Sequence, residues 1–589
     1  MQEPPTEPHD VIIMGGGLAG LTLAMQLRDR FPDIDVLVLE RRRHPVPLAR
    51  HKVGESTVEI GAHYFAEVLG LREHLEKAQL RKFGFRFFFS EGRRDIENVV
   101  ELGASRPLPM VSYQIDRGLF ENFLAEEAQR RGVRFVDAAF IREATLAEGN
   151  GLHTVRWERR TDAAGAGGGE AGAAAEPEVH TTQARWLVDA CGRAGLLKRQ
   201  LGLAQDNPHG VHAVWFRVAK RIDVDSWCKD PAWRARTVTP TRWLSTNHMV
   251  GAGYWVWLIP LASGSHSVGI VADPRYHPLE RMNTFERAME WLAEFQPLVF
   301  DDLDPHRDKL QDFAFFRRFS YDCKQVFSAD RWALAGEAGR FLDPFYSPGS
   351  DFIGIGNTYI TELIARDRAG QPLAAHAQVY EQIFRSFYES TLALYVDQYG
   401  LFGSPTVLPV KIVWDYTYYW SVLAQLFVQD RLTDLATLAQ LRDELALAQK
   451  LNVAVQALMR RWGEALSPAD EAAANVPAVH DQAALPWFAE LNRALHDRDD
   501  AAAFRGRLAA AVARLCTLAG EVQVRARAAG VESEELDALL ASRTAQAAQA
   551  SPAARATPVP GAVASALLFP PTRDARTPVP ATEASAATA

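Results

Sequence analysis

Cysteine is scarce in this chain, and acidic residues outnumber basic ones by 73 to 64. Its four cysteines (Cys191, Cys228, Cys323 and Cys516) are scattered over 589 residues without a C-x-x-C pair. This distribution argues against a disulfide framework or a metal site, and it favours a reducing, cytoplasmic location. The formal net charge of −9 argues against nucleic acid as a partner.

Long apolar runs are absent as well. None reaches the ~18 residues that a membrane-spanning helix needs, so no integral membrane segment is predicted. The polar, acidic stretch Met1–Pro5 is not followed by an apolar run, and no signal peptide is expected. No internal repeat is visible. A chain of 589 residues is too long for one hydrophobic core, so two or three domains are expected.

The most informative stretch that is present runs from Asp10 to Glu40. The apolar run Asp10–Met14 predicts a buried strand. It is followed by Gly15-Gly16-Gly17-Leu18-Ala19-Gly20, a G-x-G-x-x-G pattern that opens a helix predicted over Leu18 to about Arg30. A second apolar run, Asp35–Leu39, ends on Glu40. Strand, glycine turn, helix, strand and terminal acid predict a complete dinucleotide-binding βαβ unit.

Each part of this unit has a physical task. Gly15 permits the tight turn, Gly17 lets the backbone approach a pyrophosphate, and Gly20 lets helix and strand pack closely. The helix start at Leu18-Ala19 presents N–H groups and a positive dipole end to phosphates. Glu40 lies where a carboxylate accepts a hydrogen bond from a ribose hydroxyl. The pattern leaves FAD and NAD open, and a glycine turn that binds nothing is the alternative.

The loop before the next helix has a simple local explanation. Ser56 and Glu59 fit a capping box for a helix predicted over Ile60 to Leu69, which makes them helix-start residues. Glu55, beside them, has no such explanation.

Two aromatic stretches predict strands. Aromatic residues alternate along Leu80–Phe89, and Lys82 lies at the entry, where a single lysine is usually a solvated surface charge. Trp255 and Trp257 point to one face of a second strand, which Pro260 ends. That face either lines a site or packs on a helix.

Other turns and helix starts carry candidate binding residues. Asp116 predicts the N-cap of a helix to about Arg131, where Arg117 either contacts a phosphate or lies on the surface. Strand-ending glycine turns are expected at Asp189–Gly192 and Gly336–Gly339.

A long helix is predicted over Asp351 to about Arg366. Its start, beside Gly349 and Ser350, forms either an anion or flavin-carbonyl site or an ordinary loop.

The turns at Gly15–Gly20, Asp189–Gly192 and Gly336–Gly339 together resemble the FAD-binding set of the glutathione-reductase-type flavoproteins, in the branch with p-hydroxybenzoate hydroxylase. The resemblance implies FAD, with Asp189, Glu337 and Arg117 among its contacts. Glu337 stands where aspartate is more usual, which lengthens the reach and keeps the charge. No second nucleotide-binding βαβ unit is present, which argues against a stable NADPH site.

Three patterns narrow the resemblance to the flavin-dependent halogenases, over roughly residues 8 to 360. Trp255-Val256-Trp257-Leu258-Ile259-Pro260 matches their W-x-W-x-I-P. Arg81–Phe87 is similar to the stretch that holds their catalytic lysine, which makes Lys82 the expected catalytic residue. The loop Val53–Ser56 is similar to one that these enzymes place beside the flavin, with Glu55 as a cofactor contact.

The family's chemistry implies FADH2 from a separate flavin reductase, together with O2 and chloride or bromide. The hypohalous acid formed would reach Lys82 through a tunnel, and Lys82 would either hydrogen-bond it or carry the halogen as a haloamine. The residues matching Trp255 and Trp257 are expected to obstruct an ordinary monooxygenase reaction. Halide is expected at the backbone near Gly349 and Ser350, where Ser350 also contacts the flavin.

One departure sets the substrate expectation. Tryptophan halogenases carry a glutamate where this chain has Tyr346, and Pro348 lacks one backbone donor seen in those enzymes. The altered segment resembles halogenases that act on phenols or pyrroles, so the expected substrate is an electron-rich aromatic, free or carrier-tethered. The alternatives are an FAD-dependent aromatic hydroxylase of the same fold, which would oxidise NAD(P)H directly, and a flavin-bound protein without catalysis.

The expected fold class is α/β. A glutathione-reductase-type FAD-binding Rossmann domain (residues 8–205 and 325–366) is expected to hold an inserted antiparallel-sheet substrate domain (206–324). A helical C-terminal domain (367–542) that covers the substrate pocket and a disordered tail (543–589) are expected to follow. A flexible loop is expected at Ala163–Pro177.

Overall fold

A computed structural model describes residues 7–49, 53–159, 178–237, 241–549 and 567–569. The loop expected at Ala163–Pro177 lies outside the described residues. None of the helices in these ranges is long and apolar enough to cross a membrane.

The strands, in chain order, are β1 (His9–Met14), β2 (Val36–Leu39), β3 (Leu80–Arg81), β4 (Phe85–Phe88), β5 (Glu101–Gly103), β6 (Tyr113–Gln114), β7 (Arg134–Val136), β8 (Ala139–Thr145), β9 (His153–Arg159), β10 (Glu178–Asp189), β11 (Ala204–Gln205), β12 (His212–Val218), β13 (Thr246–Gly251), β14 (Tyr254–Pro260), β15 (His266–Ala272), β16 (Leu310–Phe316), β17 (Asp322–Cys323), β18 (Trp332–Leu334) and β19 (Val479–Asp481).

The helices are α1 (Leu18–Arg30), α2 (Glu59–His63), α3 (Arg72–Ala78), α4 (Arg117–Arg130), α5 (Leu196–Gln200), α6 (Pro231–Arg234), α7 (Phe285–Phe295), α8 (Pro297–Leu303), α9 (Gly349–Arg368), α10 (Ala374–Leu392), α11 (Leu408–Tyr419), α12 (Gln425–Val428), α13 (Leu435–Gln440), α14 (Arg442–Ala465), α15 (Pro468–Ala474), α16 (Pro486–Arg493), α17 (Ala501–Ala528) and α18 (Glu534–Gln549).

The first sheet brings the three glycine turns together. Its order is β7-β2-β1-β10-β9-β8, with β18 also paired to β10. β1 is parallel to β2 and β10, and β10 is parallel to β18. The register pairs Met14 with Asp189, and Asp189 with Leu334. Because parallel strands end at the same edge, the turns after these residues meet there. The βαβ unit of β1, α1 and β2 is confirmed.

The second sheet is built around β14, in the order β16-β12-β15-β14-β13-β4-β5-β19. Alternation along β14 places Trp255 and Trp257 in the large core shared with the first sheet. Tyr254 and Val256 point the other way, into a second core with α7. The one-face prediction for the two tryptophans is confirmed.

This sheet differs from the antiparallel insertion predicted for residues 206–324. β4 runs parallel to β13, and β19 runs parallel to β5, so the sheet is mixed. These strands come from segments that were assigned to the FAD-binding and helical domains. A sheet edge offers unpaired N–H and C=O groups to any nearby segment, and local sequence does not say which one will pair. The domain borders therefore remain a prediction.

Two helix starts also differ from the predictions. α2 follows Val58 with no side-chain cap, so the capping box of Ser56 and Glu59 is wrong. Asp116 does precede α4, but its side chain caps nothing there. It forms instead a buried ion pair with Arg217, at 2.9 Å. In both places a distant partner replaces the local hydrogen bond.

The predicted disordered tail is wrong in part. α18 extends past Arg543 to Gln549, and the segment Leu567–Phe569 is docked on the helical region. Leu568 is 1% exposed and Phe569 is 5% exposed. Glu521 accepts hydrogen bonds from the backbone N–H groups of Leu567 and Leu568. Leu567–Phe569 thus pack on the helical region, although the composition of the sequence around them is typical of disorder.

Candidate active site

A cavity of about 540 Å³ lies where the three turns meet. This volume is within the range of small-molecule and cofactor pockets. Residues from all three turns, from the end of β2 and from the start of α9 line it: Gly15, Gly16, Gly17, Leu18, Ala19, Glu40, Gly192, Glu337, Gly349 and Ser350.

The glycines of the first turn fit the tasks predicted for them. Gly15 has a φ of +115°, and a Cβ there would lie 2.3 Å from the Ala190 carbonyl oxygen. A Cβ on Gly20 would lie 2.0 Å from the Gly15 oxygen. A Cβ on Gly17 would meet no protein atom within 4 Å. Gly17 therefore keeps backbone accessible to a ligand, and the cradle fits the pyrophosphate of FAD.

Glu40 is held at the cavity wall by backbone groups. Its Oε2 accepts from the Gly16 N–H at 2.6 Å, and its Oε1 accepts from the Arg42 N–H at 2.7 Å. The carboxylate is thereby fixed beside the glycine turn, where a ribose contact is predicted.

Asp189 lies below the second turn. Its two oxygens accept from the N–H groups of Cys191, at 3.0 Å, and Leu197, at 2.8 Å. It is 0% exposed, and burial raises its pKa. Asp189 shapes the turn, whereas Cys191 and Gly192 line the cavity. Direct contact of Asp189 with the cofactor stays a prediction.

Arg117 and Glu337 both line the cavity. Arg117 donates to the Val53 carbonyl and to Glu121, each at 2.5 Å. Burial raises the pKa of Glu337, and the charges of Arg193, Arg117 and Lys198 oppose that rise.

Glu55 lines the same cavity and is 4% exposed. Burial raises its pKa to about 7, against a hydrogen bond from Ser267 and the charge of Arg217. Its carboxyl group is therefore poised to gain or lose a proton near neutral pH.

The start of α9 offers anion-binding groups to this cavity. The first N–H groups of a helix have no intrahelical partner, and here they belong to Gly349 and Ser350. The Ser350 hydroxyl is buried without a hydrogen-bond partner. Asp351 follows, and it accepts from the Gly61 N–H at 2.8 Å and the Tyr419 hydroxyl at 2.7 Å. The halide site at Gly349 and Ser350 remains a prediction with suitable donors.

Lys82 lies in a gap between β3 and β4, where the predicted continuous strand is interrupted. Gly84 makes this break at a φ of +74°. Lys82 is 8% exposed, so the surface-charge interpretation is wrong. Its Nζ donates to the Ser56 hydroxyl at 2.9 Å and to the Thr57 carbonyl at 3.0 Å. It also lies 3.3 Å from the centroid of the Phe85 ring.

Burial lowers the pKa of Lys82 well below its ordinary value, and the charges of Glu59 and Asp351 oppose this. At a given pH, the Lys82 amine is therefore neutral in a larger fraction of molecules than the amine of a surface lysine.

A second cavity, of about 180 Å³, lies on the far side of Lys82. Apolar and aromatic side chains form most of its wall, together with Lys82 and Glu59: Val58, Phe83, Phe85, Pro107, Leu108, Met110, Val111, Leu244 and Tyr416. Ser56 and Thr246 line the first cavity, and their hydroxyls are 3.1 Å apart. Since Ser56 also accepts from Lys82, the lysine lies at the wall between the two cavities.

The W-x-W-x-I-P residues lie on the first cavity. Trp255, Trp257 and Ile259 line it, whereas Pro260 ends β14. The Trp255 indole donates to the Tyr399 hydroxyl at 3.0 Å, and the Trp257 indole donates to the Ser267 hydroxyl at 3.1 Å. The two rings are thereby fixed at the cavity wall.

Tyr346 has its hydroxyl committed to the helical region. It donates to Asp415 at 2.6 Å, and Asp415 also pairs with the buried Lys411 at 2.8 Å. The residue that replaces the glutamate of the tryptophan enzymes is thus not free to accept a proton from a substrate.

The sequence missed Ser56, Thr246 and Glu59 as site residues. The first and last had a plausible local explanation as a cap, and Thr246 is an ordinary strand residue. Tertiary contacts bring Thr246 to the loop that holds Ser56: β13 pairs with β4, and Gln114 contacts both residues.

Comparisons with known proteins agree with this geometry. Residues 8–288 match the family model described as FAD binding domain. The chain is 25% identical over 438 residues, 71% of each protein, to flavin-dependent halogenase chlA of Dictyostelium discoideum. It is 26% identical over 360 residues, 58% of this chain and 72% of the other, to the 1H-pyrrole-2-carbonyl-[peptidyl-carrier protein] chlorinase of Pseudomonas fluorescens.

Solved structures show the same fold. Halogenase PltM in complex with phloroglucinol and FAD superposes with a TM-score of 0.58 at 17% identity, over 87% of this chain and 96% of that one. CmlS, a flavin-dependent halogenase, superposes with a TM-score of 0.51 at 21% identity, over 77% and 73% of the two chains. The chain is therefore similar in sequence to flavin-dependent halogenases, and it matches an FAD binding domain over residues 8–288.

Proposed function

We propose that this protein is an FADH2-dependent halogenase that uses O2 and chloride or bromide to halogenate an electron-rich aromatic, either a phenol or a pyrrole, free or carrier-tethered. A separate flavin reductase supplies FADH2, since no second nucleotide-binding βαβ unit is evident in the sequence. All four cysteines are free, in keeping with action in the cytoplasm. The single observation that carries the proposal is the position of Lys82 at the wall between the two cavities.

The position of Lys82 between the two cavities assigns a separate step of the reaction to each cavity. When bound in the first cavity, reduced FAD together with O2 would supply the chemistry that oxidises halide to hypohalous acid. The N–H groups of Gly349 and Ser350 hold the halide there. Trp255 and Trp257 narrow the cavity, and an aromatic substrate has its own space beyond Lys82. Lys82 then meets the oxidised halogen, and its depressed pKa favours an amine with a free lone pair.

The size of the second cavity supports a small substrate. An apolar cavity of about 150 Å³ holds a benzene molecule in another protein, and the cavity here measures about 180 Å³. A single aromatic ring with small substituents fits this volume. Two relatives are named for single-ring chemistry, a pyrrole chlorinase and a halogenase bound to phloroglucinol.

The test is an assay with FAD, a flavin reductase, bromide or chloride, and a panel of phenols, read by mass spectrometry. Halogenated product is expected from the wild type. For Lys82→Ala we expect product to fall by about 10²-fold or more, because removing one key transfer or stabilising group costs this much. Oxygenated but never halogenated product would favour the hydroxylase instead. Product unaltered by Lys82→Ala would remove the lysine from the mechanism.

A further inference from the structure

Glu59 carries a buried oxygen that the fold leaves unpaired. The residue is 6% exposed, and its Oε1 accepts from the Asn492 amide at 3.1 Å. Its Oε2 has no hydrogen-bond partner. Leaving a buried acceptor unpaired costs about 1–3 kcal/mol, and more for a charged group. Such an atom calls for a function or a ligand.

The nearest alternative partner does not complete this hydrogen bond. Burial raises the pKa of Glu59, and its own backbone N–H and the Trp420 indole N–H oppose that rise. Yet Trp420 Nε1 is itself buried without a hydrogen-bond partner. A donor and an acceptor are thus both unsatisfied, and of the two residues Glu59 is the one that lines the second cavity.

Glu59 and Lys82 line the same 180 Å³ cavity, whose other walls are mostly apolar. Asp351, the other carboxylate that acts on Lys82, already accepts from Gly61 and Tyr419. Tyr346 donates its hydroxyl to Asp415. Among the residues that line this cavity, Glu59 is the only carboxylate, and its Oε2 is unpaired.

We propose that Glu59 binds the hydroxyl of a monocyclic phenol and accepts its proton while Lys82 directs the halogen to the ring. This assignment rests on the proposed halogenase function. It narrows the substrate to a ring with a hydroxyl donor. It also supplies a carboxylate from the start of α2, in a chain that has Tyr346 where the tryptophan halogenases have glutamate.

The step balances with hypohalous acid as the oxidant. A ring carbon ortho or para to the hydroxyl bonds to the halogen, and the halogen–oxygen bond breaks with its electron pair leaving as hydroxide. Glu59 takes the hydroxyl proton as the ring becomes a dienone. The ring C–H proton then leaves to form water with the hydroxide. Glu59 returns its proton to the oxygen, which restores the phenol.

The experiment compares the wild type with Glu59→Gln, with Glu471→Gln as the control. Glu471 is a partly buried carboxylate bonded to Ser404, away from both cavities. Photoreduced FAD and bromide are supplied, and two readouts are taken. A 1,3-diketone trap reports escaping hypobromous acid, and resorcinol reports ring bromination.

The proposal expects Glu471→Gln to match the wild type in both readouts, and resorcinol rates are divided by trap rates before the variants are compared. It expects kcat/KM for resorcinol to fall by about 10²-fold in Glu59→Gln alone, which is the usual contribution of a general base. Resorcinol bromination within threefold of wild type in Glu59→Gln would overturn it. If the wild type brominates neither the trap nor resorcinol, the proposed halogenase function itself is contradicted.

A second measurement needs no variant, and so it holds even if Glu59→Gln fails to fold. The wild type is given resorcinol and 1,3-dimethoxybenzene, which share an electron-rich ring but differ in the hydroxyl donor. The proposal expects resorcinol to react at least 10²-fold faster, after correction for the rates with hypobromous acid alone. Equal corrected rates would overturn it.

Discussion

The two cavities on either side of Lys82 are built in different ways. The phosphate cradle of the larger one is made of backbone, from glycine turns and the first N–H groups of α1 and α9. The smaller one is made of side chains such as Lys82, Glu59 and Tyr416, from three separate elements. A backbone site needs glycine at fixed spacing, which a short sequence motif records. A side-chain site needs only that distant residues meet, which no short motif records.

The strongest test of the site built from backbone adds one methyl group at each of two glycines. For Gly20→Ala we expect a loss of about 3 kcal/mol or more in the free energy of unfolding, since overpacking costs 1–3 kcal/mol and the obstacle here is a backbone oxygen at 2.0 Å. For Gly17→Ala we expect stability within about 1 kcal/mol of wild type but at least tenfold weaker FAD binding, because the methyl enters only the cavity.

Urea denaturation of the apoprotein and fluorescence titration with FAD measure these two effects. Equal losses of stability in both variants would contradict the division between packing and ligand approach.

The pKa of Glu55 tests whether the cavity wall between the turns excludes water from this buried carboxyl group. Its pKa rises from 4.5 to about 7, so the folded state binds the proton more tightly than the unfolded state. Its contribution is present below pH 4.5 and is lost as pH rises through about 7.

Relative to wild type, Glu55→Gln should therefore gain nothing at pH 4.5 and up to about 3 kcal/mol at pH 8. Urea denaturation across this range measures the gain, with the exposed Glu286→Gln as the matched control. A gain of equal size at every pH would show that the effect is packing and not titration.

Trp257→Phe gives the smallest expected effect. It removes one buried indole hydrogen bond to Ser267 and should cost about 1 kcal/mol. The ring packs over Gly269, where a Cβ would lie 2.1 Å away, so the smaller phenyl ring still fits.

Trp487→Phe is the control, because the Trp487 indole nitrogen has no hydrogen-bond partner. Thermal unfolding of both variants measures the difference. Equal shifts would mean that the hydrogen bond does not fix the Trp257 ring.

The sequence predicted the parts of the fold that are local. The βαβ unit and the long helix at Asp351 appear within two residues of their predicted bounds. It failed where a local explanation competed with a distant partner. Ser56 looked like a cap and instead accepts from Lys82, and Asp116 pairs with Arg217 across 101 residues.

The candidate site divides along the same line. Residues of the glycine turns were found because φ angles and close approaches restrict them to glycine. Asp189 was found too, but only the structure shows that it braces its turn. Glu59 and Thr246 were not found, because glutamate before a helix and threonine in a strand are both common for other reasons.

By itself, the sequence predicted a dinucleotide cradle, since glycine spacing along one chain sets it, and the resemblance to flavin-dependent halogenases indicated which lysine to examine. The tertiary structure decided that Lys82 is buried between two cavities and that Glu59 shares the smaller one. It did so through the pairing of β4 with β13 and the packing of α2 against α9 and α16, contacts between segments far apart in the chain. Burial then alters the pKa of a lysine and leaves a carboxylate oxygen unpaired, and neither effect can be read from residue order.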